Sequence, residues 1–265
     1  MDSAILASID ALRNTTPLVQ CLTNQVVSQV TANALLAAGA TPAMCETPEE
    51  SREFAHVADG VLINAGTPSE QQYAGMREAM RGAAEANTPW VLDPVAAGAL
   101  PYRTQFYQEA LTHSPTVIRG NASEIAVLAG VGTGGRGVDA TDAVAPQVAQ
   151  ALAESSGSIV AVSGPKDLVV SQQGFTWIAG GHPTMALVIG TGCFLGALCA
   201  AYAGAARNEG LDLHWAIVAA HAHTKAAGAV AGEQFAQQPG SFAVAWLDAL
   251  HQLSATEIVQ RVELA

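Results

Sequence analysis

The chain has 265 residues, 50% of them hydrophobic and 13% charged, which excludes a disordered polymer and allows a large buried core. Its 23 acidic residues outnumber 11 basic ones for a formal net charge of −12, and no basic cluster offsets a balance that repels nucleic acid and anionic lipid. The four cysteines (Cys21, Cys45, Cys193 and Cys199) lack metal-type CxxC spacing, and "MDSAILASIDALRN" carries acids but no basic leader segment, so reduced thiols in a cytoplasm are expected.

Six short apolar runs read as strands: "PLVQCLT" (17–23), "ATPAMCE" (40–46), "GVLINAG" (60–66), "PWVLDPV" (89–95), "PTVIRGN" (115–121) and "SIVAVSG" (158–164). Several are apolar at consecutive positions, as strands covered on both faces should be. Helical stretches lie between them, among them "SQVTANALLAAG" (28–39) and "ATDAVAPQVAQALAES" (140–155). Such alternation predicts an α/β fold: three layers, with a mostly parallel central sheet between helices on both faces.

The segment "GVGTGGRG" contains Gly132-x-Gly134-x-x-Gly137, which matches a dinucleotide fingerprint as text. That fingerprint needs a preceding strand, whereas a helix (Ser123 to Ala129) is predicted there, so a loop is expected. Farther on, "DLVVSQQGFTWIAGG" predicts a hairpin turning at Gln172-Gln173-Gly174. Helices are predicted over 191–206, 212–235, 241–253 and 254–264. The charge-free run Ala186 to Ala206 is long enough for a membrane span and holds Gly192-xxx-Gly196, a helix-dimer pattern. Gly-Thr-Gly interrupts it and no basic or aromatic flank orients it, so a buried helix is expected. No linker or repeat divides the chain, which predicts one domain over 1–265.

In an open parallel sheet, ligands sit beyond the carboxyl ends of the strands. The polar residues closing the predicted strands are Asn24, Glu46, Asn64, Asp93, Arg119 with Asn121 and Glu124, and Ser163. Any one of them can be a cap or turn former. Asn121 and Glu124 have capping-box spacing. Asp93 and Glu124 on adjacent strand ends also suit magnesium, which takes one or two carboxylates beside substrate phosphates, and Arg119 can bind phosphate oxygens.

The turn "GTGC" (Gly190, Thr191, Gly192, Cys193) opening a helix would aim successive backbone N–H groups at an anion. The same position is expected to lower the Cys193 pKa. Neither Lys166 nor Lys225 follows a glycine, so no P-loop is present. His221-x-His223 lies in a helical stretch where positions two apart point to different faces, which disfavours a shared metal.

With these pieces placed, the chain resembles the hydroxyethylthiazole kinase family, lidless members of the ribokinase-like superfamily. "LTNQVVSQVTANALLAAGATPAM", "VLINAGT", "WVLDPVAAGA", "PTVIRGNASEI", "GHPTM", "GTGCFLGAL" and "VAGE" follow one another in family order, essentially end to end. The resemblance implies ATP-dependent phosphorylation of the primary alcohol of 4-methyl-5-(2-hydroxyethyl)thiazole, in thiamine salvage. It implies a thiazole pocket from Asn24, Val26, Met44 and Gly190. ATP would be held by Arg119 and Ser163 with Asn121 nearby, and Mg2+ by Asp93 and Glu124. Gly190, Thr191, Gly192 and Cys193 would form the anion hole.

The resemblance further implies a homotrimer with sites at subunit boundaries, Gly66 and Thr67 reaching toward a neighbour's pocket. Cys193 stands where wider-superfamily relatives carry an aspartate base. Ile189 departs from the usual threonine before the turn, "MALVIG" lacks a basic residue often found there, and Gly180 replaces an expected asparagine. The competing readings are a pyrimidine or pyridoxal-type kinase, a nicotinamide-nucleotide repair dehydratase, and a non-catalytic binding protein.

Overall fold

The computed structural model describes residues 1–131 and 146–265; the Gly132–Gly137 pattern and the first part of the predicted 140–155 helix lie outside the described residues. The strands are β1 (Leu18–Leu22), β2 (Thr41–Ala43), β3 (Gly60–Asn64), β4 (Trp90–Asp93), β5 (Val117–Asn121), β6 (Ile159–Ser163), β7 (Lys166–Ser171), β8 (Gly174–Ala179) and β9 (Glu263–Leu264). The helices before β6 are α1 (Asp2–Thr15), α2 (Ser28–Ala38), α3 (Pro48–Val57), α4 (Glu70–Ala86), α5 (Pro101–Leu111), α6 (Ala122–Leu128) and α7 (Pro146–Ser156). Those after β8 are α8 (Thr191–Glu209), α9 (Leu213–Phe235), α10 (Pro239–Gln252) and α11 (Ala255–Gln260).

One sheet runs in the order β2-β1-β3-β4-β5-β6-β7-β8-β9. The pairs from β2 to β6 are parallel, and β7, β8 and β9 continue it antiparallel. Successive strand residues point to opposite faces, and both faces are covered. Cys21, Leu62, Val91 and Ala161 pack into one core with α1, α2, α8, α9 and α10, whereas Leu22, Ile63, Leu92 and Val160 pack into a second with α4, α5, α6 and α7. That double burial is why these strands read as unbroken apolar runs. The three layers and the mostly parallel sheet stand as the sequence predicts, and the β7–β8 hairpin turns at Gln172 and Gln173 with Ser171 opposite Gly174.

The chain end differs from expectation. The helix predicted over 254–264 stops at Gln260, and Glu263 and Leu264 pair with Ala179 and Ile178. The outer edge of β8 presents unpaired N–H and C=O groups, and the last residues satisfy them, with Trp177 and Ala265 exchanging backbone bonds of 2.8 and 3.1 Å.

The charge-free run splits into a 3₁₀ turn (Pro183–Leu187) and α8. No helix among the described residues is long and apolar enough to cross a membrane. Gly192-xxx-Gly196 is not a helix-dimer face; its row continues to Gly204 and lets α8 lie against the sheet. A Cβ on Gly196 would sit 3.0 Å from both Asp93 Oδ2 and Leu62 Cδ1. Across this contact, a Cβ on Gly60 of β3 would come within 2.3 Å of the Ala200 carbonyl oxygen. The approach is as close as backbone allows, so side-chain volume here pushes the helix off the sheet. Gly60→Ala should cost about 1–3 kcal/mol of stability, read as a lower urea midpoint with an unchanged denaturant slope. A variant as stable as the parent would show that α8 is free to shift.

Candidate active site

The strand order converts positions scattered along the chain into one line of side chains. Asn64 ends β3 opposite Asp93 ending β4, and Asn121 ends β5 opposite Ser163 ending β6. With Asn24 following β1, polar groups sit on five neighbouring strand ends and bond in sheet order. Asn24 Nδ2 donates to Asn64 Oδ1 at 3.4 Å, and Asn64 Nδ2 donates to Asp93 Oδ2 at 3.0 Å. Arg119 Nη1 donates to the same Asp93 oxygen at 3.4 Å, while its Nη2 donates to Ser163 Oγ. Asn64, Asp93 and Arg119 are all buried.

Helix α8 brings its N-terminus over this line. Gly190 caps it at φ +94, a conformation L side chains rarely adopt, and an added Cβ would press 3.1 Å from Val30 Cγ1. The first intrahelical bond runs from Phe194 N to Gly190 O at 2.8 Å, so the preceding amides are left to other partners. Gly192 faces the guanidinium directly, since its Cβ would lie 3.6 and 3.7 Å from Arg119 Nη1 and Nη2. The Thr191 hydroxyl turns back to Met185 O and Val188 O at 3.1 and 3.2 Å, so Thr191 offers its amide and not its side chain. The α8 N-terminus, whose first amides have no intrahelical acceptor, and the Arg119 guanidinium thus lie side by side.

The buried charges set the local chemistry. Burial pushes Asp93 up to about 7; Arg119 pulls it down, Glu124 pushes it further up, and the Asn64 and Arg119 hydrogen bonds lower it. Asp93 Oδ1 and Arg119 Nε are fully buried with no hydrogen-bond partner among the described residues. Glu124 serves two loops. Its Oε2 accepts the Asn121 amide at 2.8 Å as half of the predicted capping box, and its Oε1 accepts the Ala96 amide at 3.0 Å, holding the turn after Asp93.

Cys193 corrects the sequence expectation. Its pKa is raised, not lowered: burial leads, the Asp93 charge adds to it, and bonds from Asn64 and Asn24 with the Arg119 charge only partly oppose it. The helix N-terminus is outweighed by a neighbouring carboxylate and by removal from water. Asn24 Nδ2 lies 3.3 Å from the sulfur.

No cluster of three or more His, Cys, Asp or Glu that could hold a metal occurs among the described residues. Magnesium commonly takes only one or two protein carboxylates beside substrate phosphates. The unpartnered Asp93 oxygen and the charge of Glu124 bearing on it fit that ion.

The remaining expected residues are more dispersed. Val26 and Met44 are exposed at 60% and 38%, and Asn121 is exposed at its cap. Glu46 turns to Gln72 Nε2 at 2.9 Å, and Thr67 Oγ1 accepts from Gln25 N of the same chain. A Cβ on Gly66 would collide with Asn24 at 2.7 Å, so the glycine lets β1 and β3 loops meet. His221 and His223 do point apart, to Asp167 and to Tyr202 with the Leu250 carbonyl. Sequence reasoning gave Asn64 no role, yet it links Asn24 to Asp93; its signal was its place at a strand end. Tyr107 was missed altogether: its hydroxyl donates to Val95 O at 2.9 Å from a helix with no local mark of function.

A family model for hydroxyethylthiazole kinase matches residues 9–256. The chain belongs to that family. It is 56% identical to a hydroxyethylthiazole kinase of Corynebacterium glutamicum over 100% of this chain and 99% of the relative. Among solved structures, a hydroxyethylthiazole kinase from Pyrococcus horikoshii superposes with a TM-score of 0.89 at 33% identity, covering 98% of each chain. A ribokinase-like superfamily protein from Enterococcus faecalis shares the fold alone, at a TM-score of 0.60 and 14% identity over 88% of this chain and 85% of that one. The protein is thus a kinase of ribokinase-like fold, and the Asn24–Ser163 line is its candidate active site.

The raised Asp93 carboxyl has a consequence for stability. Between about pH 4 and pH 7 the folded chain retains a proton that the unfolded chain has released, so this group's contribution to stability falls as pH rises. Urea midpoints in chelating buffer should show Asp93→Asn gaining on the parent across that interval and not above it. Parallel curves would mean that Asp93 ionises as an ordinary carboxylate.

Proposed function

We propose that the chain transfers the γ-phosphoryl group of ATP to the primary alcohol of 4-methyl-5-(2-hydroxyethyl)thiazole, acting as one domain over 1–265. The observation that carries the reading is the α8 N-terminus set against Arg119 above the buried Asp93. In this reading Asn24, Val26, Met44 and Gly190 hold the thiazole, Arg119 and Ser163 hold the nucleotide with Asn121 beside them, and the Gly190–Cys193 amides hold the migrating phosphoryl group. Asp93 and Glu124 would hold a magnesium ion, which would supply positive charge to the nucleotide when bound.

The bond to form is between the substrate hydroxyl oxygen and the γ-phosphorus; the bond to break joins that phosphorus to the β–γ bridging oxygen of ATP. The chain's own contribution is alignment and charge. In a loose transition state the attacking oxygen forms little bond before the leaving oxygen departs, so positioning dominates and the proton can leave late. The protonated Cys193 thiol is no ground-state base at neutral pH. It sits beside Asn24 at the α8 entrance, where its volume and polarity orient the alcohol.

We place the enzyme in the cytoplasm as a homotrimer with sites at subunit boundaries. Four unpaired cysteines support the first. Exposed Val26, Leu187 and Ile189, on the segments that meet at Gly190, support the second by offering apolar area for burial at the mouth of the site.

The test is ATP consumption with and without the thiazole alcohol, set against a pyrimidine and a pyridoxal-type alcohol. Turnover dependent on the thiazole supports the reading; preference for either other alcohol, or no turnover, defeats it. Cys193→Ala should slow turnover about 10–100-fold, and a folded yet wholly inactive variant would make the thiol indispensable. Asp93→Asn and Glu124→Gln should each raise the magnesium needed for half-maximal rate, measured by titrating the metal at fixed ATP.

A further inference from the structure

Below the Ser163 end of the site lies a buried charge cluster that the roles above do not use. Asp167, at the start of β7, is 3% exposed; His221 and Lys225, one turn apart on α9, are 0% and 5% exposed. His221 Nδ1 meets Asp167 Oδ2 at 2.8 Å, and Lys225 Nζ meets Asp167 Oδ1 at 3.2 Å. Burial would raise the Asp167 carboxyl, but its bonds and attraction to His221 and Lys225 overcome that and hold it low, whereas burial keeps His221 below its ordinary value. Asp167 is therefore a low-lying carboxylate held between the His221 ring and the Lys225 amine.

Asp167 and Lys225 converge on one peptide group. Asp167 Oδ1 accepts the Gly164 N–H at 2.9 Å. Lys225 Nζ donates to the Gly164 and Pro165 carbonyls at 3.2 and 3.3 Å. Gly164 is thus gripped at both its amide and its carbonyl, directly after the Ser163 that bonds Arg119. The lysine stem also packs beneath the glycine turn leading toward α8, with the Gly181 Cβ position 3.6 Å from Lys225 Cγ.

Bracing a turn does not by itself call for a buried lysine. Isolated charges are expensive to desolvate, and a buried pair seldom improves stability over an apolar substitute. Nor does the fold call for glycine at 164. Its φ is not in the left-handed region, it is exposed, and an added Cβ would meet only Lys166 O, at 3.4 Å. An exposed, sterically unconstrained glycine held rigid from below is what close approach of a ligand to backbone requires.

We propose that Asp167, His221 and Lys225 form a positioning unit that sets nucleotide affinity by fixing the Gly164 peptide beside Ser163. This inference rests on the assignment of that end of the site to ATP. Lys225 has its donors committed within the protein and is a positioning residue, not a phosphate ligand.

The test measures KM for ATP, KM for the thiazole alcohol, and kcat on the full chain carrying Ser163→Ala, Lys225→Met, Asp167→Asn or Gly164→Ala. Lys225→Met should raise KM for ATP at least tenfold and leave KM for the alcohol within twofold. Asp167→Asn keeps the volume and an acceptor for Gly164, so it should fold even if Lys225→Met does not, and should raise KM for ATP severalfold. Gly164→Ala, which the fold tolerates, should do the same. If Ser163→Ala leaves KM for ATP unchanged, the nucleotide assignment fails and takes the inference with it. If Ser163→Ala raises it while the folded Lys225 or Asp167 variant does not, or moves both KM values together, the inference alone is overturned.

Discussion

The structure depends on how closely α8 can approach the middle of the sheet. A helix normally stands off a sheet by the width of its side chains; here Gly204 on one side and Gly60 on the other let backbone meet backbone, and Gly196 makes room for Asp93 and Leu62. The approach fixes where the helix begins. Its first turn arrives beside Arg119 and over Asp93, so the helix N-terminus and the acid beneath it meet in one place. Bulk anywhere along that row would tilt or lift the helix and separate the two halves.

A second constraint follows from the depth of that site. Asp93 and Arg119 are both buried, and removal from water favours the neutral form of an acid. Arg119 alone does not restore an ordinary carboxylate, and the charge of Glu124 works against it. The arrangement leaves Asp93 Oδ1 unpartnered among the described residues. The same field acts on Cys193. A thiol beside a buried carboxylate keeps its proton, so geometry at the helix entrance matters more here than basicity.

The Ser163 end carries its charges one layer lower. Asp167 and Lys225 pair inside the core beneath the Gly164 peptide, and His221 bonds the same carboxylate. Charge thereby sets backbone position without standing in the site itself. The α8 entrance works differently, since there the backbone amides face the site directly.

Much of this was legible in the chain. Unbroken apolar runs predicted strands buried on both faces, the strand ends named Asn24, Asn64, Asp93, Arg119 and Ser163, and Asn121 with Glu124 carried their capping box openly, because each is a local pattern of period or spacing. Three features were not. The terminal residues 263–264 left the helical pattern because an open edge on β8 offered them partners, the Cys193 thiol shifted opposite to its helix position because the fold buries it and sets a distant carboxylate beside it, and Tyr107 and Lys225 gained roles only through carbonyls of remote loops. Sequence alone determined which elements form and which polar groups close them, since those follow from near neighbours. Only the tertiary structure decided how those groups pair and ionise, since burial and charge proximity are set by strands and helices that lie far apart along the chain.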